Sequence, residues 1–161
     1  MKLKMKSRPR LSVLIALLTV LAVWSCTGDG CFDNATSVPL AAFYQGGKAV
    51  SIDSLTVRGV DAPGDSLLIA GKTVQQVYLP LRVKESSCRF VFMYKKGIIP
   101  SDTIGIDYEA VPTFVSRECG AMYFFRVKGC STTHNAIDSI SIPDGIINNQ
   151  DKVSIKIFMR Q

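Results

Sequence analysis

One histidine serves the whole chain of 161 residues, and the one tryptophan, Trp24, falls near its start. A nucleophilic hydrolase needs a base that a third group orients. His134 lies in the polar stretch "STTHNA" (131–136) and reads as an exposed loop residue. The chain has no G-x-S-x-G elbow, no Ser-x-x-Lys pair and no P-loop. It also has no C-x-x-C pair, which with a single histidine argues against tetrahedral zinc. Acids stand near glycines in "GDGCFDN" (28–34) and "DAPGD" (61–65), but neither has EF-hand spacing. Asp107 and Glu109 share a strand face about 7 Å apart, and their alternation with Ile and Tyr turns them to solvent. After residue 25 there is no convincing helical period, no low-complexity tract and no second apolar run of spanning length. These absences leave no catalytic set, no metal site and no cofactor, and they favour a non-enzyme.

Charge is also scarcer than it looks. The formal net charge is +6, from nineteen basic and thirteen acidic residues. Five of the nineteen lie in "MKLKMKSRPR" (1–10), which leaves about +1 for the remainder. Nothing there calls for nucleic acid. The basic stretch is followed by "LSVLIALLTVLAVWS" (11–25), which has no charge at all. A spanning helix needs ~20 apolar residues. A basic head and a shorter apolar run instead match a secretory signal.

The end of that run, "LAVWSC" (21–26), resembles a bacterial lipobox: Val23 at −3, Ser25 at −1 and then Cys26. Trp24 at −2 is larger than usual there. Residues 1–25 are therefore expected to be a lipoprotein signal peptide, 26–35 a lipidated tether, and 36–161 one domain. Cys26 is the lipidation site, and its acyl chains make the membrane the first partner. Thr27 is not Asp, so the common inner-membrane retention signal is absent. The expected address is the bacterial cell envelope, at the outer membrane, facing the periplasm. Removing Cys26 from the count leaves Cys31, Cys88, Cys119 and Cys130. An oxidising compartment suits two disulfides, and four cysteines allow three pairings.

What the domain has in abundance is period two, the mark of half-buried strands. In 74–83, Val77, Leu79, Leu81 and Val83 share a face, and Pro80 marks an edge or a bulge. Residues 88–95 are apolar on both parities apart from Arg89, as in a central covered strand. Ile104, Ile106 and Tyr108 alternate with Gly105, Asp107 and Glu109. Ala121, Tyr123, Phe125 and Val127 share a side, as do Val153, Ile155, Ile157 and Met159. The runs "IDSLTV" (52–57), "GDSLLI" (64–69), "SDTIGI" (101–106) and "IDSISI" (137–142) put Asp before a β-rich stretch. Such side chains bond nearby backbone and mark turns. The sum is an all-β chain: an antiparallel β-sandwich, immunoglobulin-like at class level, of seven to nine short strands. A small β-barrel is the alternative.

Cys31, "IDSLTV", "VSRECG" (115–120), "IDSISI" and "VSIKIF" (153–158) together resemble an uncharacterised family of small Bacteroidetes lipoproteins. That resemblance implies a Gram-negative envelope lipoprotein and no activity. It also implies the pairs Cys31–Cys119 and Cys88–Cys130.

For function, the leading expectation is a non-enzymatic interaction or structural module that meets another envelope protein. Its candidate contact residues are Arg117 and Glu118, beside Cys119, and Phe124, off the parity of Tyr123 and Phe125. The alternative is a small hydrophobic-ligand carrier, whose barrel pocket would be lined by Tyr94, Tyr123, Phe124 and Phe125.

Overall fold

The alternation of β-branched and aromatic residues becomes eleven strands among the residues that the computed structural model describes: 37–62, 66–95, 98–117 and 120–161. They are β1 (Leu40–Gln45), β2 (Lys48–Ala49), β3 (Ile52–Val60), β4 (Leu67–Val74), β5 (Gln76–Tyr78) and β6 (Ser87–Met93). Then come β7 (Asp102–Ser116), β8 (Gly120–Thr132), β9 (Ile137–Ser141), β10 (Ile146–Ile147) and β11 (Val153–Met159). Among the described residues there is no helix.

The strands form two sheets. One has the order β2-β1-β11-β9, with β5 also paired to β1; the other runs β10-β8-β7-β6-β3-β4. Pairing is antiparallel throughout except for β1 beside β11, where Phe43 faces Ile157 in parallel register. Each sheet sends one parity of side chains inward. Ala41, Phe43, Ile137, Ile155 and Ile157 come from the first sheet. Leu55, Val57, Phe90, Phe92, Ile104, Ile106, Tyr108 and Phe125 come from the second. Phe43 meets Phe92 edge-on across the two sheets at 6.2 Å. The fold is an all-β sandwich.

Three expectations about the strands change: the described residues hold eleven strands, where seven to nine are expected. They are not uniformly short: β7 has fifteen residues and β8 thirteen, and they pair along nearly their whole length. The expected strand at 74–83 stops at Tyr78, because Pro80 has no N–H to offer a ladder. Val77 and Leu79 are buried all the same, while Val83 is exposed.

The β7–β8 ribbon outgrows the sheet. β6 covers β7 only as far as the Ser87–Asp107 pair, and β10 covers β8 only at Phe125 and Arg126. Beyond those points the ribbon has two strands and carries Thr113 opposite Met122 and Phe114 opposite Ala121. A bulge near its root leaves Lys128 as the extra residue on β8. Lys128 Nζ lies 3.1 Å from Glu109 Oε2, and Arg126 lies 3.6 Å from the same oxygen. The Lys128 hydrogen bond, then the charges of both cations, hold the Glu109 carboxyl below its usual range.

Candidate functional site

The described domain has two ends. β7 runs from Asp102 at one to the ribbon at the other, and twelve residues of strand reach roughly 40 Å.

At the Asp102 end two open concavities share a wall of Tyr94, Lys95 and Ile99. The larger, of about 820 Å³, is lined further by Ser54, Thr56, Arg58, Gly71, Met93 and Ser101. Strand parity explains the lining: Leu55 and Val57 point into the core, so Ser54, Thr56 and Arg58 point out. β4 is held beside them where Gly71 N–H donates to Thr56 Oγ1 at 3.0 Å. Gly71 sits at φ 56°, which a side chain would strain. The smaller concavity, about 460 Å³, reaches Val50, Ile52, Asp53, Ala136, Met159 and Arg160. Its Asp53 accepts from Thr73 Oγ1 at 3.0 Å. Beside this groove Ile98 is 71% exposed and Ile99 45%.

Beneath the groove lies a carboxylate with no exposed surface. Asp102 Oδ1 accepts from Thr133 Oγ1 (2.8 Å) and Asn135 N–H (2.7 Å). Its Oδ2 accepts from Tyr94 O–H (3.0 Å), Ala136 N–H (2.8 Å) and Ile137 N–H (3.0 Å). Burial alone would raise its pKa. The donors from Asn135, Ala136, Thr133 and Ile137 outweigh burial and set it below the usual value. The same neighbourhood raises the Tyr94 phenol, first by burial and then by the Asp102 charge. With five donors on two oxygens, Asp102 is a joint. It ties the turn between β8 and β9 to the start of β7 and fixes the Tyr94 wall of the groove. The Asp-Ser/Thr runs are expected to be local turn markers. Asp138 bonds locally, but inside β9 and to the Ser139 hydroxyl, while Asp102 bonds a turn 31–35 residues away.

Midway along β7, Tyr108 does a similar job. Its hydroxyl donates to Arg82 C=O (2.8 Å), accepts from Arg82 N–H (3.0 Å) and lies 3.1 Å from Cys88 Sγ. Its ring packs edge-on against Phe125 at 5.3 Å. The irregular stretch after Pro80 is thereby pinned to the core.

The structure separates the expected site residues. Cys26, Cys31, Glu118 and Cys119 lie outside the described residues. Arg117 is exposed just past the end of β7. Phe124, expected to be the exposed anchor, is half-buried opposite Val111; the exposed aromatics of the ribbon are Phe114 (68%) and Tyr123 (44%). Cys88 and Cys130 are both free thiols. Each pairs with Ile106 of β7 from opposite sides, so their Cα atoms stand about two strand spacings, ~10 Å, apart. A disulfide allows ~7 Å at most, and the Cys88–Cys130 pair does not fit this fold. His134 is exposed, with Nδ1 2.7 Å from the Asp138 carbonyl oxygen.

The expected aromatic-lined pocket does not form as a unit. Phe125 is sealed against Tyr108, Tyr123 is exposed on the ribbon, and Tyr94 borders the groove with its hydroxyl turned to Asp102. The groove residues Ser54, Thr56, Arg58 and Ile99 escaped sequence reasoning. The signal for Ile99 was "GIIP" (97–100), an apolar pair between a strand and a proline.

Searches of curated proteins and of solved structures give no match. Residues 54–159 match a family defined by sequence, and that span takes in β4 to β11, the groove's Tyr94 wall, the Asp102 joint and the ribbon. The chain belongs to the family of unknown function DUF6452.

Proposed function

We propose that this protein is a lipid-anchored component of a bacterial envelope that acts by contact, without chemistry of its own. The lipobox-like "LAVWSC" after a basic head supports the anchor at Cys26, and Thr27 supports the outer membrane with the domain in the periplasm. The resemblance to small Bacteroidetes lipoproteins points the same way. The observation that carries the contact role is the exposed pair Ile98–Ile99 beside an open groove. Solvent-facing apolar side chains grouped at a concavity mark a binding surface. The groove's hydroxyls (Ser54, Thr56, Ser101) and cations (Arg58, Lys95) offer hydrogen bonds and charge but no nucleophile–base pair. The fitting occupant is an envelope protein that presents an apolar residue with an acidic neighbour.

The test is a photo-cross-linking amino acid at Ile99 in growing cells, with Leu67 as a control position, read by mass spectrometry. A reproducible protein adduct at Ile99 and none at Leu67 is the expected result. A small-molecule adduct would replace the partner with a ligand. Equal labelling at both positions would end the proposal that the groove is the contact site.

A further inference from the structure

The groove lies at one end of the described domain, and its first described residue lies towards the other. Ser37, the first described residue, is fully buried, and its hydroxyl donates to Met122 Sδ at 3.7 Å. Two residues on, Pro39 C=O accepts from Leu79 N–H at 3.0 Å. The polypeptide that leads from Cys26 therefore joins the domain on the outer half of the β7–β8 ribbon. Ten residues lie between Cys26 and Ser37, and the chain from one to the other reaches ~38 Å at full extension.

The two faces of the ribbon differ. Met122 and Thr113 lie on the face that Ser37 touches. Period two puts Pro112, Phe114, Ala121 and Tyr123 on the opposite face, where all four are exposed. This is the core face of the sheet carried past the core: Tyr108, Ala110 and Phe125 precede them on the same side. Arg117 stands exposed at the ribbon's end.

We infer that the exposed face of the β7–β8 ribbon, with Phe114 and Tyr123 as its anchors, rests on the phospholipid surface that holds the lipidated Cys26. The inference builds on the lipid-anchor reading. Acyl chains hold Cys26 at the bilayer, and the tether meets the domain at the ribbon, so the ribbon end is the one brought near. Placing the groove end on the bilayer would instead require the tether to run nearly straight along the length of β7. Aromatic side chains settle at the membrane interface, where a Tyr keeps its hydroxyl wet. Arg117 supplies a fork for a phosphate headgroup. The consequence is orientation: the groove, Ile98 and Ile99 face away from the membrane, towards a partner.

A lone tryptophan tests this. With residues 1–25 removed the protein has none, since Trp24 goes with the signal. Phe114→Trp and, separately, Ile99→Trp are made in the full lipoprotein. Each is purified from envelopes and reconstituted in phosphatidylethanolamine–phosphatidylglycerol vesicles. Intact mass reports acylation of Cys26 in the same samples. Phe114→Trp is expected to emit at shorter wavelength and to lose most of its intensity with acyl-brominated lipids, while Ile99→Trp is unaffected; Tyr123→Trp repeats the reading at a second site. An acylated protein whose Phe114→Trp is unquenched overturns the ribbon contact and leaves the anchor standing. A short-wavelength but unquenched signal means that protein covers the face, a second copy or another chain, and also overturns it. Equal quenching at Ile99→Trp removes the orientation. An unmodified Cys26 removes the anchor and this inference with it.

Discussion

Replacing Asp102 by Asn keeps the shape of the side chain and reverses one of its two ends. The carboxylate presents two acceptors to five donors, three of them backbone N–H groups that cannot rotate. Thr133 and Tyr94 can turn their hydroxyls to accept from an amide; the N–H groups cannot. If the amide nitrogen takes the Oδ1 place, it confronts Asn135 N–H. If it takes the Oδ2 place, it confronts both Ala136 N–H and Ile137 N–H. Either way at least one buried donor is orphaned, at about 1–3 kcal/mol, and the surviving bonds lose their charge assistance. The total comes to about 3–5 kcal/mol, against about 5–15 kcal/mol for a whole domain. Urea unfolding followed by circular dichroism measures it. The pH dependence sharpens the test. The folded pKa of Asp102 lies below the unfolded value, so its contribution is complete above about pH 4 and fades as pH falls through the folded value. The gap between the wild type and Asp102→Asn should therefore narrow on acidification. A variant within about 1 kcal/mol of wild type at neutral pH, or a gap that stays constant down to pH 2, would refute the joint.

Other expectations follow from the same packing. Phe92→Ala empties the centre of the contact between the sheets with Phe43 and should cost about 3–5 kcal/mol by denaturant unfolding; a loss under about 1 kcal/mol would mean that the sheets do not pack there. Tyr108→Phe orphans Arg82 N–H, for about 1–3 kcal/mol. Burial first, then the Cys88 contact, raises the Tyr108 phenol, so its stabilisation is full below about pH 10 and lost above it. The alkaline decline should accordingly be shallower in Tyr108→Phe, and an unchanged slope would contradict the assignment. Iodoacetamide on the native protein should label exposed Cys130 and spare buried Cys88 until unfolding. Partial desolvation beside β7 and then the Asp107 carboxylate raise the Cys130 thiol, so its labelling should quicken with pH. A peptide map with Cys88 bonded to Cys130 would break the register described for β6, β7 and β8.

Sequence periodicity located the strand at Ile104, Ile106 and Tyr108 and the one at Ile155 and Ile157, because one parity of each is wholly buried in a shared core. It did less well at Phe124. Parity tells which residues share a face, but whether that face is covered depends on where neighbouring strands stop. β6 and β10 end early, so Tyr123 is exposed although it shares a side with buried Phe125. The groove was illegible for a related reason. Its walls come from β3, β4, β6 and the stretch around Ile99, and outward-facing Ser54, Thr56 and Arg58 look like any solvated parity.

By itself, then, the sequence determined the β class and the inward parity of the main strands. Each is a matter of composition or of neighbours within a few residues, which local chemistry encodes directly. Only the tertiary structure decided that Asp102 holds a turn more than thirty residues away, that β7 keeps Cys88 from Cys130, and that the β7–β8 ribbon outruns its sheet. These depend on register and strand order. Register and order are set by the packing of the whole core and leave no mark within any one stretch of chain.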